Sequence, residues 1–141
     1  MNTEIKISYI DKPEEFAWGI IGRGLSTYNK EKAGDNHFQR LCFVIKESEE
    51  EILGGVMAEV YWEWLYIDLL WVKDDLRGQG YGRQLMETVE MKARELGAKN
   101  AYLDTFSFQV PGFYETLGYQ VFGELQDFPP GQERFFMKKE L

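Results

Sequence analysis

The feature that most constrains this chain is an apolar segment joined to an amphipathic helix by a glycine-rich loop. Residues 65–72 are almost wholly apolar, which predicts a strand at the centre of a sheet, covered on both faces. The helix predicted over residues 80–96 has apolar side chains at helical spacing, and Gly97 is a good C-terminal cap. A strand predicted over residues 101–105 follows this crossover, so we expect it to lie parallel to the preceding strand.

The helix over residues 80–96 has an apolar face and a polar remainder. Glu90 and Arg94 fall outside the apolar face and form a favourable i,i+4 pair. We therefore expect Glu90 to stay out of the core. The apolar face consists of Leu85, Met86, Val89, Ala93 and Leu96.

The other elements predict a mixed α/β sheet with helices on both faces. Ile5, Ile7 and Tyr9 alternate with polar residues, which predicts a first strand. A helical region follows over residues 13–33, and its three glycines predict a bend or a division into two helices. Further strands are predicted over residues 41–45, 52–60, 119–125 and 134–138, with a short helix over residues 111–118.

Length, charge and cysteine content narrow the class of protein. A chain of 141 residues fits one domain, residues 1–141. The net charge of −8 disfavours nucleic-acid binding and is compatible with a cationic partner such as an amine. No apolar run approaches the roughly 18 residues that span a membrane, and residues 1–6 show no leader pattern. With one cysteine, Cys42, and one histidine, His37, we expect a reducing, cytoplasmic location and no metal site.

The loop after residue 72 has the composition of an anion-binding site. Gly78, Gly80 and Gly82 allow a tight turn and a close approach of the backbone to a ligand. Their N–H groups and the positive end of the following helix favour a pyrophosphate, and Arg77 and Arg83 flank the loop. No Lys-Ser/Thr pair follows Gly82, which excludes a P-loop, and Gly82 comes one residue too early for a dinucleotide fingerprint. A glycine-rich turn without a ligand remains the alternative.

The pattern of Arg77, Gly80 and Gly82 after an apolar strand resembles the central Arg/Gln-x-x-Gly-x-Gly/Ala motif of the GNAT acetyltransferase superfamily. Residues 113–119, Phe-Tyr-Glu-Thr-Leu-Gly-Tyr, are similar to the family's Phe-Tyr-x-x-x-Gly-Phe segment. Residues 52–55 look like the strand that precedes the motif, and the resemblance covers roughly residues 41–125. It implies the family's mixed, mostly antiparallel sheet with a parallel, splayed strand pair and helices on both faces.

The resemblance implies that the chain binds acetyl-CoA, without a metal, where the two parallel strands splay apart. The strand before the loop would pair with the pantetheine arm, and the loop N–H groups would hold the pyrophosphate. The family often has Asn where this chain has Ser107, so either Ser107 or Gln109 would supply that contact. The implied cofactor-binding residues are Leu70, Trp71, Val72, Arg77, Gly78, Gln79, Gly80, Tyr81, Gly82, Arg83 and Ser107.

The resemblance also implies direct transfer of the acetyl group to an amine. Tyr114 resembles the family's tyrosine that gives a proton to the leaving thiolate, and a backbone N–H near Leu70 would stabilise the oxyanion. Asp68, a carboxylate within an apolar strand, is the candidate base because burial makes a carboxylate more basic, and Glu59 and Glu63 are weaker candidates. We expect a small-molecule amine as acceptor. A peptide amine, a non-catalytic acyl-CoA-binding module and a dinucleotide-binding protein remain alternatives, and exposed aromatic residues would permit a homodimer.

Overall fold

The N-terminal region differs from the sequence prediction in two ways. The computed structural model describes residues 3–141, which divide into two compact units, one ending at Asp35 and the other spanning Asn36–Leu141. The predicted strand at Ile5, Ile7 and Tyr9 is wrong, because residues 3–10 have no regular secondary structure. Alternation produces a strand only where another strand pairs with it, and the six strands of the sheet do not include this segment.

The first unit contains one helix, α1, which spans Glu15–Ala33 without interruption. The predicted bend or division into two helices is therefore wrong. Gly19, Gly22 and Gly24 each cost the helix about 1 kcal/mol relative to alanine, but none of them adopts a positive φ. The glycines weaken the helix without breaking its backbone geometry. Gly34, with φ of +82°, ends it.

The second unit is built on one six-stranded mixed sheet. The parallel pair, β3 and β4, lies at its centre and all other neighbours are antiparallel, which confirms the predicted mixed, mostly antiparallel α/β fold. The spatial order is β1-β2-β3-β4-β6-β5. The strands are β1 (Gln39–Ser48), β2 (Glu51–Tyr61), β3 (Trp64–Val72), β4 (Asn100–Phe106), β5 (Gln120–Gln126) and β6 (Glu133–Glu140). The helices are α2 (Tyr81–Glu95) and α3 (Pro111–Thr116), with short 3₁₀ turns at Asp74–Leu76 and Ser107–Gln109.

The core lies between the sheet and α2, which packs on β1, β2 and β3. The apolar face of α2 is buried as predicted, except at Leu96, which is 36% exposed. Glu90 contradicts the prediction, because it is only 3% exposed. Its carboxylate accepts hydrogen bonds from the Tyr119 hydroxyl at 2.9 Å and the Lys139 ammonium at 2.7 Å, and the predicted pair with Arg94 is present at 3.9 Å. A buried carboxylate is stable where such partners replace water.

The two central strands separate part of the way along their length. Pairing between β3 and β4 ends at Ile67 and Leu103, although β3 continues for another five residues. At the same point β3 bulges: Ala58 pairs with Ile67 and Met57 pairs with Leu69, so Asp68 is the extra residue. The predicted cover on both faces is therefore wrong for this half of β3, where the side chain of Leu69 is 61% exposed.

Four expectations concern the chain as a whole. Within residues 3–141, no helix is both long enough and apolar enough to cross a membrane. The same residues contain no group of three or more His, Cys, Asp or Glu side chains that could hold a metal ion. Residues 1 and 2 of the segment analysed for a leader lie outside the described residues. The single domain over residues 1–141 stays a prediction.

Candidate active site

The end of β3, which has no partner on its β4 side, the glycine-rich loop and the segment before α3 line one cleft of about 520 Å³. This volume lies within the range of small-molecule sites in proteins. The cleft contains nine of the eleven predicted cofactor-binding residues; Gln79 and Ser107 do not line it. The lining consists of Leu70, Trp71, Val72, Leu76, Arg77, Gly78, Gly80, Tyr81, Gly82, Arg83, Gln109, Val110, Phe113 and Tyr114.

The loop backbone requires glycine at two positions. Gly78 and Gly80 have φ of +76° and +88°, a region in which a Cβ atom is strained. Gly80 is also the N-cap of α2, and its carbonyl accepts the N–H of Gln84 at 3.0 Å. The N–H groups of the first turn of α2 have no acceptor within the helix. They are therefore available to an anion in the cleft, as the sequence predicts.

The arginines of the loop are partly engaged with the protein. Arg77 donates from Nε to the carbonyl of Val72 at 2.8 Å and pairs with Asp74 at 2.7 Å, which fixes the loop against the end of β3. Arg83 lies 3.7 Å from Glu87 and 3.5 Å from the Thr116 hydroxyl, contacts that are long and exposed. Arg83 is therefore the more available cation at the cleft, while Arg77 orders the loop.

Tyr114, on α3, lines the same cleft as the end of β3. Its ring makes edge contacts with Phe113 and Tyr119, with ring centroids 5.1 and 6.2 Å apart. Gly82 allows α2 to approach this helix, since a Cβ there would lie 3.3 Å from the Phe113 ring. Burial raises the pKa of the Tyr114 phenol above its usual 10.0, and no group within residues 3–141 hydrogen-bonds its hydroxyl. The hydroxyl thus carries a proton at neutral pH and has no protein partner.

The structure brings Gln109 to the cleft instead of Ser107. The Ser107 hydroxyl donates to Gln132 at 2.6 Å and accepts the N–H of Glu133 at 3.1 Å, so it ties β4 to β6. Gln109 lines the cleft, and the Oε1 atom of its side-chain amide accepts the backbone N–H of Phe106 at 2.9 Å. The 3₁₀ turn at Ser107–Gln109 causes this exchange, because it moves Ser107 toward β6.

Three lining residues were not predicted: Leu76, Val110 and Phe113. Val110 adopts φ of +58°, uncommon for a β-branched residue, directly before the proline that begins α3. Phe113 belongs to the segment with the predicted Tyr114, and its contact with Gly82 was detectable only in the structure. Their side chains add apolar surface to the lining of the cleft.

Asp68 lies in a second, smaller cleft and is exposed, so its predicted burial is wrong. The bulge and the separation of β3 from β4 place it at the surface. This cleft has a volume of about 210 Å³ and is lined by Arg40, Met57, Ala58, Glu59 and Asp68. Neither carboxylate forms a hydrogen bond or ion pair with another of the described residues.

The two weaker base candidates occupy different places. Glu59 shares the cleft of Asp68, whereas Glu63 lies on the tight turn between β2 and β3, where it pairs with Lys99 at 3.4 Å. Asp68 also acts on Tyr66: burial, together with the charges of Asp104 and Asp68, raises the pKa of this phenol to about 12. Asp68 therefore remains the candidate closest to the point where the strands separate.

Comparison with known proteins identifies relatives over most of the chain. The profile of the Acetyltransferase (GNAT) family matches residues 9–119. Blasticidin-S acetyltransferase of Streptomyces morookaense is 41% identical over 92 residues, which cover 64% of this chain and 68% of that protein. An acetyltransferase structure from Bacillus cereus ATCC 14579 is 34% identical with a TM-score of 0.83, covering 95% of this chain and 98% of that one. One from Agrobacterium tumefaciens is 28% identical with a TM-score of 0.92, covering 97% and 100%.

These relatives agree with the geometry of the second unit. The family profile extends over β3, the glycine-rich loop, α2 and Tyr114, which line the cleft. The mixed sheet with its parallel β3–β4 pair has the fold of the solved acetyltransferase structures. The chain therefore belongs to the Acetyltransferase (GNAT) family and is an acyltransferase enzyme.

Proposed function

We propose that this enzyme transfers the acetyl group of acetyl-CoA to a primary amine of a small molecule. The observation that supports this most is the composition of the larger cleft, in which a glycine-rich helix N-terminus, an unpaired strand end and a protonated tyrosine meet. The name of the relative blasticidin-S acetyltransferase supports a small-molecule acceptor over a peptide. The lone cysteine, Cys42, favours a cytoplasmic site of action.

The residues of the cleft fit acetyl-CoA by charge and by shape. Gly78 and Gly80 leave open space where a side chain would stand, and the N–H groups at the start of α2 face an anion without competition from intrahelical acceptors. Arg83 adds positive charge at the same end. The backbone at Leu70 to Val72 has no partner strand on its β4 side, where it offers hydrogen-bonding groups to the pantetheine arm.

In the proposed reaction one side chain acts as a general base and one as a general acid, and no protein nucleophile is needed. The neutral amine attacks the thioester carbonyl, a C–N bond forms, and the C–S bond then breaks to release the thiolate. Tyr114 donates its proton to that thiolate, and the tyrosine regains a proton from solvent. Asp68 removes the extra proton of the arriving ammonium ion, and the nitrogen releases its second proton to solvent after the attack. A backbone N–H near Leu70 stabilises the oxyanion.

Acetyl-CoA binding is tested with a matched pair of glycine variants. In Gly80→Ala, a methyl group enters the cleft and a left-handed residue carries a Cβ, so we expect the acetyl-CoA Kd to rise about tenfold. Gly97→Ala has similar strain at φ of +93°, but Gly97 lies beyond the other end of α2, away from the cleft. Both variants should lose about 1 kcal/mol of unfolding free energy.

Titration calorimetry measures the acetyl-CoA Kd of each variant, and thermal unfolding measures how much unfolding free energy the backbone strain removes. For the unaltered protein, acetyl-CoA at about 100 times its Kd should add about 2.7 kcal/mol to the unfolding free energy. Stabilisation by NAD and none by acetyl-CoA would contradict the proposal. An equal loss of acetyl-CoA affinity in both glycine variants would contradict the proposal that acetyl-CoA binds in this cleft.

The role of Asp68 is tested by the pH dependence of Asp68→Asn. With an alkylamine acceptor, whose pKa is about 10, we expect kcat/KM to fall about a hundredfold at neutral pH. The loss should shrink as the pH approaches the amine pKa, because the acceptor then arrives without its extra proton. Glu63→Gln on the β2–β3 turn should leave the rate unchanged. A loss that is the same at every pH would assign Asp68 a structural role.

A further inference from the structure

The C-terminal end of β4 carries three phenylalanine rings that lie against one another. Phe106 and Phe108 are stacked with their planes 1° apart and their centroids 5.4 Å apart. The Phe128 ring, from the turn between β5 and β6, lies 5.6 Å from Phe106 at 39°. We call these three residues the aromatic platform. Parallel and tilted ring pairs at these distances are favourable arrangements.

The side chain of Arg134 packs against the aromatic platform and fixes its position. The guanidinium donates two hydrogen bonds to one oxygen of Asp104, from Nε at 3.0 Å and Nη2 at 2.6 Å. It also lies over the rings of Phe106 and Phe128, at 5.5 and 4.9 Å from their centroids. Arg134 of β6 thus bonds to Asp104 of β4 and contacts two of the three rings, so the protein alone holds the platform in place.

The platform is nevertheless open to solvent. Phe108 is 57% exposed and Phe128 is 41% exposed, so two of the three rings leave part of their surface in contact with solvent. Such surface is costly in water and is typical of binding sites. The next two residues in the chain, Gln109 and Val110, line the larger cleft. The platform is therefore continuous along the chain with the wall of the proposed acetyl-CoA site.

The charges nearby indicate which part of a ligand would meet the rings. Asp104 is neutralised by Arg134, so the platform offers ring faces without an unpaired charge. Unpaired carboxylates lie instead at Glu59 on β2 and Asp68 on β3, next to the point where β3 and β4 separate. Tyr66 connects the two regions: its hydroxyl donates to Asp104 at 3.3 Å, and Asp68 acts on it electrostatically. The two regions match the chemistry of a ligand that carries a cationic amine and a flat ring.

We propose that the aromatic platform binds a planar, unsaturated ring of the acceptor and so selects aromatic or heteroaromatic amines. This inference rests on the proposed acetyl transfer and names its substrate class. The rings contribute to acceptor binding and take no part in the chemical step.

The test compares two acceptors and two phenylalanine variants. Phenethylamine and cyclohexylethylamine have the same chain and ring size, but only the first has a flat ring. With the unaltered enzyme, we expect KM for phenethylamine to be about threefold to tenfold below that for cyclohexylethylamine, the range of one aromatic contact. Phe128→Ala should remove this preference without changing kcat. Phe38→Ala should preserve the preference. Phe38 is similarly exposed, but it lies next to β1, at the edge of the sheet opposite to β5.

Acetyl-CoA affinity, measured by calorimetry on each variant, separates the possible failures. Unchanged acetyl-CoA binding together with equal KM values for the two amines, or no turnover of either amine, would overturn the proposed acceptor class and leave acetyl-CoA binding intact. Weaker acetyl-CoA binding in Phe128→Ala would assign the platform to the adenine ring and would also overturn it. Absence of acetyl-CoA binding in the unaltered enzyme would overturn the proposed function itself.

Discussion

Tyr114→Phe is expected to lower kcat about a hundredfold to ten-thousandfold, the usual contribution of a positioned general acid. The substitution removes one hydroxyl from the wall of the cleft and keeps the ring contacts with Phe113 and Tyr119. No group within the described residues hydrogen-bonds that hydroxyl, so the free energy of unfolding should barely change. The acetyl-CoA Kd should also stay the same. Single-turnover kinetics with saturating acetyl-CoA measure the chemical step directly.

Tyr119→Phe is the matched control. Its hydroxyl donates to buried Glu90 at 2.9 Å, so its loss should destabilise the fold by about 1–3 kcal/mol. It does not line the cleft, so kcat should be unchanged at a temperature where the variant is folded. If both variants lost stability and both kept kcat, Tyr114 would be a packing residue and the proton would come from elsewhere.

The raised pKa of Tyr114 adds a pH criterion. Burial disfavours the phenolate, so the phenol keeps its proton through neutral and mildly alkaline pH. The kcat profile of the unaltered enzyme should therefore show no deprotonation limb from this group below about pH 10. A limb near neutral pH that vanished in Tyr114→Phe would contradict this assignment.

Lys139→Met is expected to have the largest effect on stability, a loss of about 3 kcal/mol. Lys139 places its ammonium 2.7 Å from the carboxylate of Glu90, which is almost completely buried. Without it, the carboxylate would keep the Tyr119 hydroxyl and a distant Arg94, which do not replace a contacting cation. Urea unfolding measures the loss.

Two further variants show whether a buried charge is the cause. Lys138→Met removes the neighbouring lysine, which lies over the Phe122 ring near the surface, and should cost less than about 1 kcal/mol. Adding Glu90→Gln to Lys139→Met removes the unpaired charge while keeping an acceptor for Tyr119, so it should recover much of the lost stability. A double variant no more stable than Lys139→Met would show that packing of the lysine stem matters more than charge.

The cleft could be predicted from sequence because its elements are local. The spacing of Gly78, Gly80 and Gly82 between an apolar strand and an amphipathic helix specifies a turn with free N–H groups, whatever else the chain does. Tyr114 follows from a short motif that begins at Phe113. Each of these signals lies within a few residues, which is the range over which backbone geometry is set by sequence alone.

The sequence by itself determined the order of the strands and helices from β1 onward, the parallel β3–β4 pair and the glycine-rich loop. Only the tertiary structure decided how three polar side chains are used. Asp68 is exposed by a bulge, Glu90 is drawn into the core by Tyr119 and Lys139, and Ser107 bonds to the β5–β6 region. Periodicity describes one element at a time, whereas burial depends on what packs against it. Register, bulges and partners distant in the chain are properties of the folded sheet, and they determine which side chains face the clefts.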